Sequence, residues 1–216
     1  IVLENKEQKF MAKKLQVANI GMKFGMSHVE GAMDCDDAEI AIICDCNEEN
    51  LRFAGERYNI PEEKWVTDYM DIVNNKDIDV VTVAIPDQQH KKVSCDLLRA
   101  GKHVLCEKPL ALTREELSEI VRAEKESDAR FMVGQICRFT PAFVQAKKYI
   151  EEGKLGELYF VESEYAHDYQ HMFDHDPKNW RSDPIRNGVV GGGCHAVDLL
   201  RWLIGTDPSE VYGLGT

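Results

Sequence analysis

Short apolar runs alternate, along the first two thirds of the chain, with stretches whose apolar residues recur every three or four positions. The short runs predict buried strands, and the other stretches predict amphipathic helices. This alternation is typical of βαβ units and predicts an α/β fold with a doubly wound parallel sheet. Strands are expected at 15–20, 38–44, 66–67, 79–85, 103–106 and 131–134. Helices are expected at about 26–33, 47–58, 68–74 and 88–100, and from a capping box at 113–116.

The pattern changes after about residue 140. A helix, a longer β run, an irregular segment rich in histidine and aspartate, a second helix and a strand-like run are expected at 141–152, 158–165, 166–187, 194–205 and 209–214. They predict the start of an α+β domain that is incomplete in this chain. We expect a Rossmann domain over residues 12–136 and the second domain over 137–216, and we exclude the polar first ten residues from fold reasoning.

Composition and charge exclude several classes of function. The 216 residues carry a net charge of −12 without a basic patch, so a nucleic-acid partner is not expected. No run of eighteen apolar residues and no signal-peptide pattern is present, so membrane association is not expected either. The cysteine count is seven, an odd number, and most of these cysteines lie in apolar runs. This favours free thiols and a cytoplasmic location.

Two glycines, Gly21 and Gly25, stand where the first strand turns into the first helix. Glycine allows a tight turn and lets a pyrophosphate approach the N–H groups at the start of a helix. The loop lacks a complete G-x-G-x-x-G motif, so an ordinary glycine turn is the alternative. The candidate cofactor contacts of this turn are Gly21, Lys23, Phe24, Gly25 and Met26.

Asp45 strengthens the dinucleotide interpretation. It lies 24 residues beyond Gly21, at the end of the second strand. A carboxylate there can accept hydrogen bonds from both ribose hydroxyls of an adenosine, and it would repel a 2′-phosphate. The alternative is a plain aspartate at a strand end. The topology, the turn and the spacing agree, and they predict NAD as the cofactor.

Lys108 is the most informative single residue. It lies in Glu107-Lys108-Pro109, directly after the strand at 103–106, and strand ends of open α/β sheets are where ligands collect. A lysine there can take or give a proton, whereas the alternative is a solvated Glu-Lys pair. The segment Pro86-Asp87-Gln88-Gln89-His90 follows another strand of the sheet and should lie along the cofactor. For His90 the alternative is a residue that caps its helix or packs beside it.

His195 and Asp198 are three residues apart at the start of a predicted helix, hence on one face. A histidine can shuttle a proton near neutral pH, and the carboxylate is expected to fix its tautomer. The alternative is a histidine at a helix start that a local aspartate holds. A third cluster, 167–176, contains His167, His171 and His175 with aspartates between them. Its aspartates and Pro177 argue against a regular helix, so we expect a cleft loop or solvated segment and no metal site.

The motifs Cys106-Glu107-Lys108-Pro109-Leu110 and Gly193-Cys-His195-Ala-Val-Asp198-Leu-Leu-Arg-Trp202, with the glycine turn and Asp45, occur in the order found in the Gfo/Idh/MocA oxidoreductases. From about residue 15 onward the chain resembles this family. The resemblance implies a Rossmann domain followed by a substrate domain with a mostly antiparallel sheet, which often mediates homo-oligomerisation.

The resemblance also implies residue roles. Lys108 binds cofactor and substrate and assists proton transfer, and His195 is its acid/base partner. Glu107, Gln135 and Arg138 lie on the cofactor side. Trp180 and Arg181 match a pair that faces the cleft, where Asp198 also lies.

One departure is that many dehydrogenases of this family place an aspartate four residues before the histidine, where this chain has Gly191. The expected function is an NAD-dependent oxidoreductase acting on a secondary alcohol of a sugar, sugar derivative or cyclitol. Two alternatives remain open at this point: an NAD-dependent glycosidase that oxidises its substrate transiently, and a non-catalytic protein that senses NAD.

Overall fold

The computed structural model describes residues 13–168, 179–183 and 185–214. Its strands are β1 (Leu15–Ile20), β2 (Ala38–Cys44), β3 (Trp65–Val66), β4 (Val80–Val83), β5 (His103–Cys106) and β6 (Phe131–Val133). Its α-helices are α1 (Met26–Met33), α2 (Glu48–Tyr58), α3 (Met70–Asn74), α4 (His90–Arg99), α5 (Arg114–Lys125), α6 (Pro141–Glu151) and α7 (Cys194–Ile204). Short 3-10 turns cover Glu62–Lys64, Asp87–Gln89, Ile136–Phe139 and Trp180–Ser182, and a π-helical turn, Val189–Gly193, precedes α7.

The six strands form one sheet in the order β3-β2-β1-β4-β5-β6. The pairings of β1 with β2, β1 with β4 and β2 with β3 are parallel. The strand order reverses between β1 and β4, which is the switch point where doubly wound sheets collect ligands. The predicted α/β Rossmann architecture is therefore confirmed.

Helices cover the sheet, and its strands are apolar for that reason. Val17, Ala18, Ile43, Val81 and Val83 are each at most 5% exposed, as expected for parallel strands that are buried on both faces. A core cluster joins β2 to the first two helices and consists of Met22, Val29, Ile40, Ile43, Leu51, Ala54 and Ile60. Apolar residues of β2, α1 and α2 thus form this part of the core.

Local signals set the helix ends. The Asn47 side chain accepts hydrogen bonds from the N–H groups of Glu49 and Asn50 at the start of α2. At α5 the Thr113 hydroxyl accepts from the Glu116 N–H, and Glu116 in turn accepts from the N–H of Leu112. The box therefore closes one residue earlier than the usual pattern, in which the returning bond reaches the capping residue itself.

The contacts divide the chain into two compact units. The first unit consists of Lys92–Leu105, Ile120–Met132 and the described part of Ile1–Ile85. The second unit consists of Pro86–Lys91, Cys106–Glu119 and the described part of Val133–Thr216. The segments Pro86–Lys91 and Cys106–Glu119 therefore group with the later part of the chain, although they follow β4 and contain the end of β5.

The strands expected at 158–165 and 209–214 are not found. Both segments lack regular structure, and Tyr159 is 98% and Tyr212 is 90% exposed. An isolated strand in water is unstable because its backbone groups need a paired neighbour, and the described residues provide none here. The expected antiparallel sheet is thus absent from the described part of 137–216. The predicted helices α6 and α7 are present, and Gly205, at φ +82°, ends α7 as expected.

Candidate active site

The glycine turn of the first unit lies so close to neighbouring backbone that side chains would not fit at its two glycines, Gly21 and Gly25. Gly21 has φ +92°, and a Cβ added there would lie 2.2 Å from the Ala84 carbonyl oxygen. A Cβ on Gly25 would lie 2.2 Å from the Gly21 carbonyl oxygen, to which the Gly25 N–H donates. The turn therefore brings bare backbone to the start of α1, as an approaching pyrophosphate requires.

Asp45 is fixed beside this turn. One carboxylate oxygen accepts from the Met22 N–H at 2.7 Å, and the other accepts from the Asn47 N–H at 2.8 Å. The residue is only 9% exposed. A carboxylate offers about four lone-pair positions, so Asp45 retains capacity for ribose hydroxyl donors. The glycine cradle and this oriented carboxylate fit an adenosine diphosphate half of NAD.

The structure gives less support to the other predicted cofactor contacts of the turn, Lys23, Phe24 and Met26. Lys23 is exposed, Phe24 is 61% exposed, and Met26 packs against the core cluster. Together with Phe53 and Tyr58 they line an open groove on the first unit. The backbone of the turn, rather than these side chains, makes the arrangement that a dinucleotide needs.

In the second unit, a buried histidine positions the turn that carries Lys108. His90 is fully buried, and its Nδ1 lies 2.7 Å from the Pro109 carbonyl oxygen. Because a carbonyl only accepts, the imidazole donates this bond. The Lys108–Pro109 peptide bond is cis. Lys108 Nζ donates to the Gly191 carbonyl oxygen at 3.2 Å. The predicted cofactor contact His90 is therefore a support of the Glu-Lys-Pro turn.

Glu107 lies beside the end of β6. One of its carboxylate oxygens accepts from the Lys108 N–H at 3.2 Å. A Cβ on Gly134 would approach the same carboxylate within 3.2 Å. The following residue, Gln135, has a buried side-chain carbonyl oxygen without a hydrogen-bond partner in the described structure. Such an oxygen is suited to accept from a carboxamide N–H like that of nicotinamide.

His195 lies in the first turn of α7 and is 8% exposed. Burial, followed by the charge of Lys108, lowers the pKa of His195, so the ring is neutral near pH 7 and can accept a proton. Its Nδ1 is buried without a partner in the described structure. Burial also raises the pKa of the neighbouring Cys194 thiol, which disfavours a nucleophilic role for that residue.

Asp198 does not fix the tautomer of His195, contrary to expectation. Its two carboxylate oxygens accept from Nε and a terminal nitrogen of Arg138, at 2.7 and 2.6 Å. This fork raises the pKa of Arg138. A planar guanidinium matches both oxygens at once, which a single imidazole N–H cannot do. Arg138, which was predicted to contact the cofactor, and Asp198, which was predicted to contact the substrate, are thus paired with each other.

The sequence reasoning missed a buried ion pair, Arg186 with Asp87. Arg186 Nε donates to an Asp87 carboxylate oxygen at 2.6 Å, and the two side chains are 6% and 4% exposed. Asp87 was predicted to be a cofactor contact, but here it anchors an arginine 99 residues away. The one indication of this ion pair in the sequence is indirect. Position 191 is a glycine, and its missing side chain leaves space that another group has to fill.

Trp180 and Arg181, which were predicted to face the substrate cleft, contact each other. The Arg181 guanidinium is 4.3 Å from the centroid of the Trp180 ring, and the Arg186 guanidinium is 5.3 Å from it. Burial, and then the charge of Arg186, lower the pKa of Arg181. The Gln88 side-chain amide donates to the Trp180 carbonyl oxygen at 2.9 Å and so attaches this turn to the segment after Pro86.

Two features are absent from the residues that the structure describes, a membrane-spanning helix and a cluster of metal ligands. None of the described helices is long and apolar enough to cross a membrane. The described part of the chain contains no group of three His, Cys, Asp or Glu residues that could hold a metal ion. His171 and His175 lie outside the described residues.

A six-stranded Rossmann sheet with a glycine cradle and a fixed carboxylate after β2 defines a dinucleotide-binding protein. The chain belongs to the Gfo/Idh/MocA oxidoreductases: residues 15–135 match the model of the oxidoreductase family with an NAD-binding Rossmann fold, and residues 143–216 match the GFO/IDH/MocA C-terminal domain. The predicted family and the predicted cofactor, NAD, are thereby confirmed.

Relatives with named activities act on sugars and cyclitols. The chain is 34% identical over 170 residues to levoglucosan dehydrogenase of Pseudarthrobacter phenanthrenivorans, covering 76% of this chain and 42% of that protein. It is 29% identical over 203 residues to inositol 2-dehydrogenase of Salmonella typhimurium, covering 93% and 57%. The chain therefore spans about half the length of these relatives.

Solved structures agree with the family. A levoglucosan dehydrogenase in complex with NADH and levoglucosan superimposes with a TM-score of 0.79 at 31% identity, covering 89% of this chain and 55% of that one. An aldose–aldose oxidoreductase from Caulobacter crescentus, complexed with glycerol, superimposes with a TM-score of 0.77 at 28% identity, covering 91% and 59%.

Proposed function

We propose that the protein is an NAD(H)-dependent oxidoreductase that acts on a secondary alcohol of a sugar, sugar derivative or cyclitol. The observation that carries the proposal is the hydrogen bond from Lys108 Nζ to the Gly191 carbonyl oxygen, in the turn that leads into the helix of the buried His195. After burial, the charge of Lys108 also lowers the pKa of this histidine. An imidazole that is neutral near pH 7 can accept a proton and serve as an acid/base partner of the lysine. The names of the relatives support the substrate class.

Oxidation of an alcohol to a ketone removes one proton from the hydroxyl and one hydride from the carbinol carbon. Bound NAD⁺ supplies the hydride acceptor. In our proposal Lys108 first passes its ammonium proton to the neutral imidazole of His195, which releases it to solvent. The resulting amine of Lys108 then takes the hydroxyl proton. In the reverse direction the same two groups return the proton to the carbonyl oxygen.

The remaining roles follow from the contacts above. The backbone of the turn from Gly21 to Gly25 binds the pyrophosphate, and Asp45 binds the adenosine ribose. Gln135 accepts from the carboxamide of nicotinamide, while Trp180 and Arg181 contact the substrate. We assign the fork of Arg138 and Asp198 to support of α7.

The test is a screen for NAD⁺ reduction with the full-length protein over cyclitols, aldoses and nucleotide sugars. Lys108→Met should abolish turnover and leave the Kd for NADH nearly unchanged, because it removes the base and retains the bulk of the side chain. Lys148→Met, at a 64% exposed position of α6, is the matched control and should keep full activity. Turnover by Lys108→Met at the parent rate would refute the assignment.

One observation favours a second candidate, a non-catalytic protein that senses NAD: position 191 is a glycine where many dehydrogenases of the family have an aspartate. A sensor would bind NADH tightly and reduce NAD⁺ with none of the alcohols. It would also capture a partner protein only when NAD(H) is present, and this result would displace the dehydrogenase proposal.

We also propose a cytoplasmic location, a homo-oligomer and a domain division near residue 136. In the structure all seven cysteines are thiols rather than disulfides, which supports a reducing compartment. The exposed aromatic side chains of Tyr159, Phe160 and Tyr212 support association through the later part of the chain. The two family matches end at 135 and begin at 143, which supports the division.

A further inference from the structure

The space beside Gly191 in the second unit is occupied by a guanidinium. A Cβ added there would lie 2.6 Å from Cζ of Arg186 and 2.7 Å from both terminal nitrogens of its guanidinium. These contacts are shorter than van der Waals distance, so a side chain at 191 would require this guanidinium to move. In the structure Arg186 takes the space that a side chain at 191 would need.

The Arg186 side chain is held rigidly in this place. It is 6% exposed, and its partner Asp87 is 4% exposed. A buried ion pair is rarely a more stable choice than well-packed apolar residues, since both charges lose their hydration. The retention of this pair therefore favours a role in fixing geometry, and the fork of a guanidinium is well suited to that role.

The group that Arg186 packs against is the acceptor of Lys108. The carbonyl oxygen of Gly191 accepts from Lys108 Nζ at 3.2 Å and lies 3.5 Å from a terminal nitrogen of Arg186. A carbonyl oxygen has two lone pairs and can serve both cations. The glycine backbone would otherwise be free to rotate in the π-helical turn Val189–Gly193. The guanidinium of Arg186, a second donor to this oxygen, restricts that rotation.

We propose that Arg186 is a positioning residue for Lys108. Anchored by Asp87, its guanidinium fixes the Gly191 carbonyl, which accepts the hydrogen bond of the ammonium group. This assignment rests on the proposed function, in which Lys108 carries the proton. A neutral carbonyl that also accepts from a fixed guanidinium thus holds the ammonium group of Lys108.

The test measures how freely Lys108 reacts, without any substrate. The full-length protein is treated briefly with acetic anhydride at pH 8, and the acetylation of Lys108 is compared by mass spectrometry with that of the exposed Lys148. In Arg186→Ala we expect Lys108 to be acetylated about three- to tenfold faster, the factor that corresponds to loss of one ordinary hydrogen bond. Arg57→Ala, which removes an exposed arginine of α2, should leave the rate unchanged.

Chemical rescue separates positioning from general loosening. Guanidinium chloride at a low, non-denaturing concentration should slow the acetylation of Lys108 in Arg186→Ala again, because the ion fits the space beside Asp87. Sodium chloride at equal ionic strength should not do so. Two further variants apply if Arg186→Ala fails to fold: Arg186→Lys keeps the charge without the fork, and Gly191→Ala displaces the guanidinium. Both should raise the rate.

A folded Arg186→Ala protein with the parent's acetylation rate would overturn the proposal, as would a rise that sodium chloride reverses equally well. For any alcohol that the parent oxidises, Arg186→Ala should lower kcat and leave the KM for NAD⁺ unchanged. A parent that oxidises no alcohol refutes the proposed function. The acetylation result would still decide whether Arg186 positions Lys108.

Discussion

Replacement of Gly21 by alanine tests the close approach on which the cofactor cradle depends. At φ +92° a residue with a Cβ is strained, by about 1–2 kcal/mol. The new methyl group would also lie 2.2 Å from the Ala84 carbonyl oxygen and 3.1 Å from the Ile85 side chain. Overpacking of this kind typically adds about 1–3 kcal/mol. We therefore expect Gly21→Ala to lower the free energy of unfolding by about 2–5 kcal/mol.

The assay is urea unfolding of the full-length protein, followed by circular dichroism and by tryptophan fluorescence. Gly31→Ala is the matched control, because Gly31 lies inside α1 and a Cβ there would meet nothing within 4 Å. That variant should be more stable by about 0.5–1 kcal/mol, since alanine is the better helix former. The m values should not change, so that midpoints report stability.

NADH binding provides a second measurement on the same pair. Gly21→Ala should weaken binding at temperatures where the variant is still folded, because the displaced turn no longer presents its N–H groups. Gly31→Ala should bind as the parent does. If Gly21→Ala and Gly31→Ala have the same urea midpoint and the same Kd for NADH, the approach of the turn to Ala84 is not as tight as described. The argument for the glycine cradle then fails.

Three further outcomes are expected. Asp45→Ala should lower the free energy of unfolding by about 1–3 kcal/mol, because it leaves a buried backbone N–H without an acceptor. It should also weaken NADH binding. Asp45→Asn, which keeps one acceptor, should lose less stability in the same urea assay. Gly55→Ala should be destabilised by about 1–3 kcal/mol, because its Cβ would lie 1.9 Å from the Trp65 ring, and an unchanged Trp65 fluorescence spectrum would contradict this. His195 has a lowered pKa in the folded state. Its contribution to stability is therefore complete above the ordinary histidine pKa of about 6.5 and is lost as the pH falls from there through the folded pKa; His195→Gln should flatten that part of the curve of stability against pH.

The sequence predicted the parallel sheet well because its signals are local. Apolar runs of four to seven residues each act within a few positions of themselves, and the structure has a strand within each of the five such runs. The shortest strand was placed one residue late, at 66–67 instead of Trp65–Val66. A two-residue strand has too little periodicity to fix its own register.

The charged pairs of the second unit could not be predicted in this way. Asp198 lies three residues from His195 but pairs with Arg138, 60 positions earlier. Asp87 pairs with Arg186 across 99 positions. Which cation a carboxylate selects depends on fork geometry and burial in the folded chain, and neither is visible in spacing. The run at 158–165 shows the same limit for strands, since alternation does not provide a pairing neighbour.

His90 is assigned no contact with a reactant, yet it bears on the proposed chemistry. Its imidazole donates to the carbonyl oxygen of the proline that follows Lys108. The backbone on the carboxyl side of Lys108 is thus tied to a buried side chain 19 positions before that proline. A substitution of His90 should therefore alter activity through the placement of Lys108, so that a loss of turnover in such a variant would not by itself mark this histidine as a proton carrier.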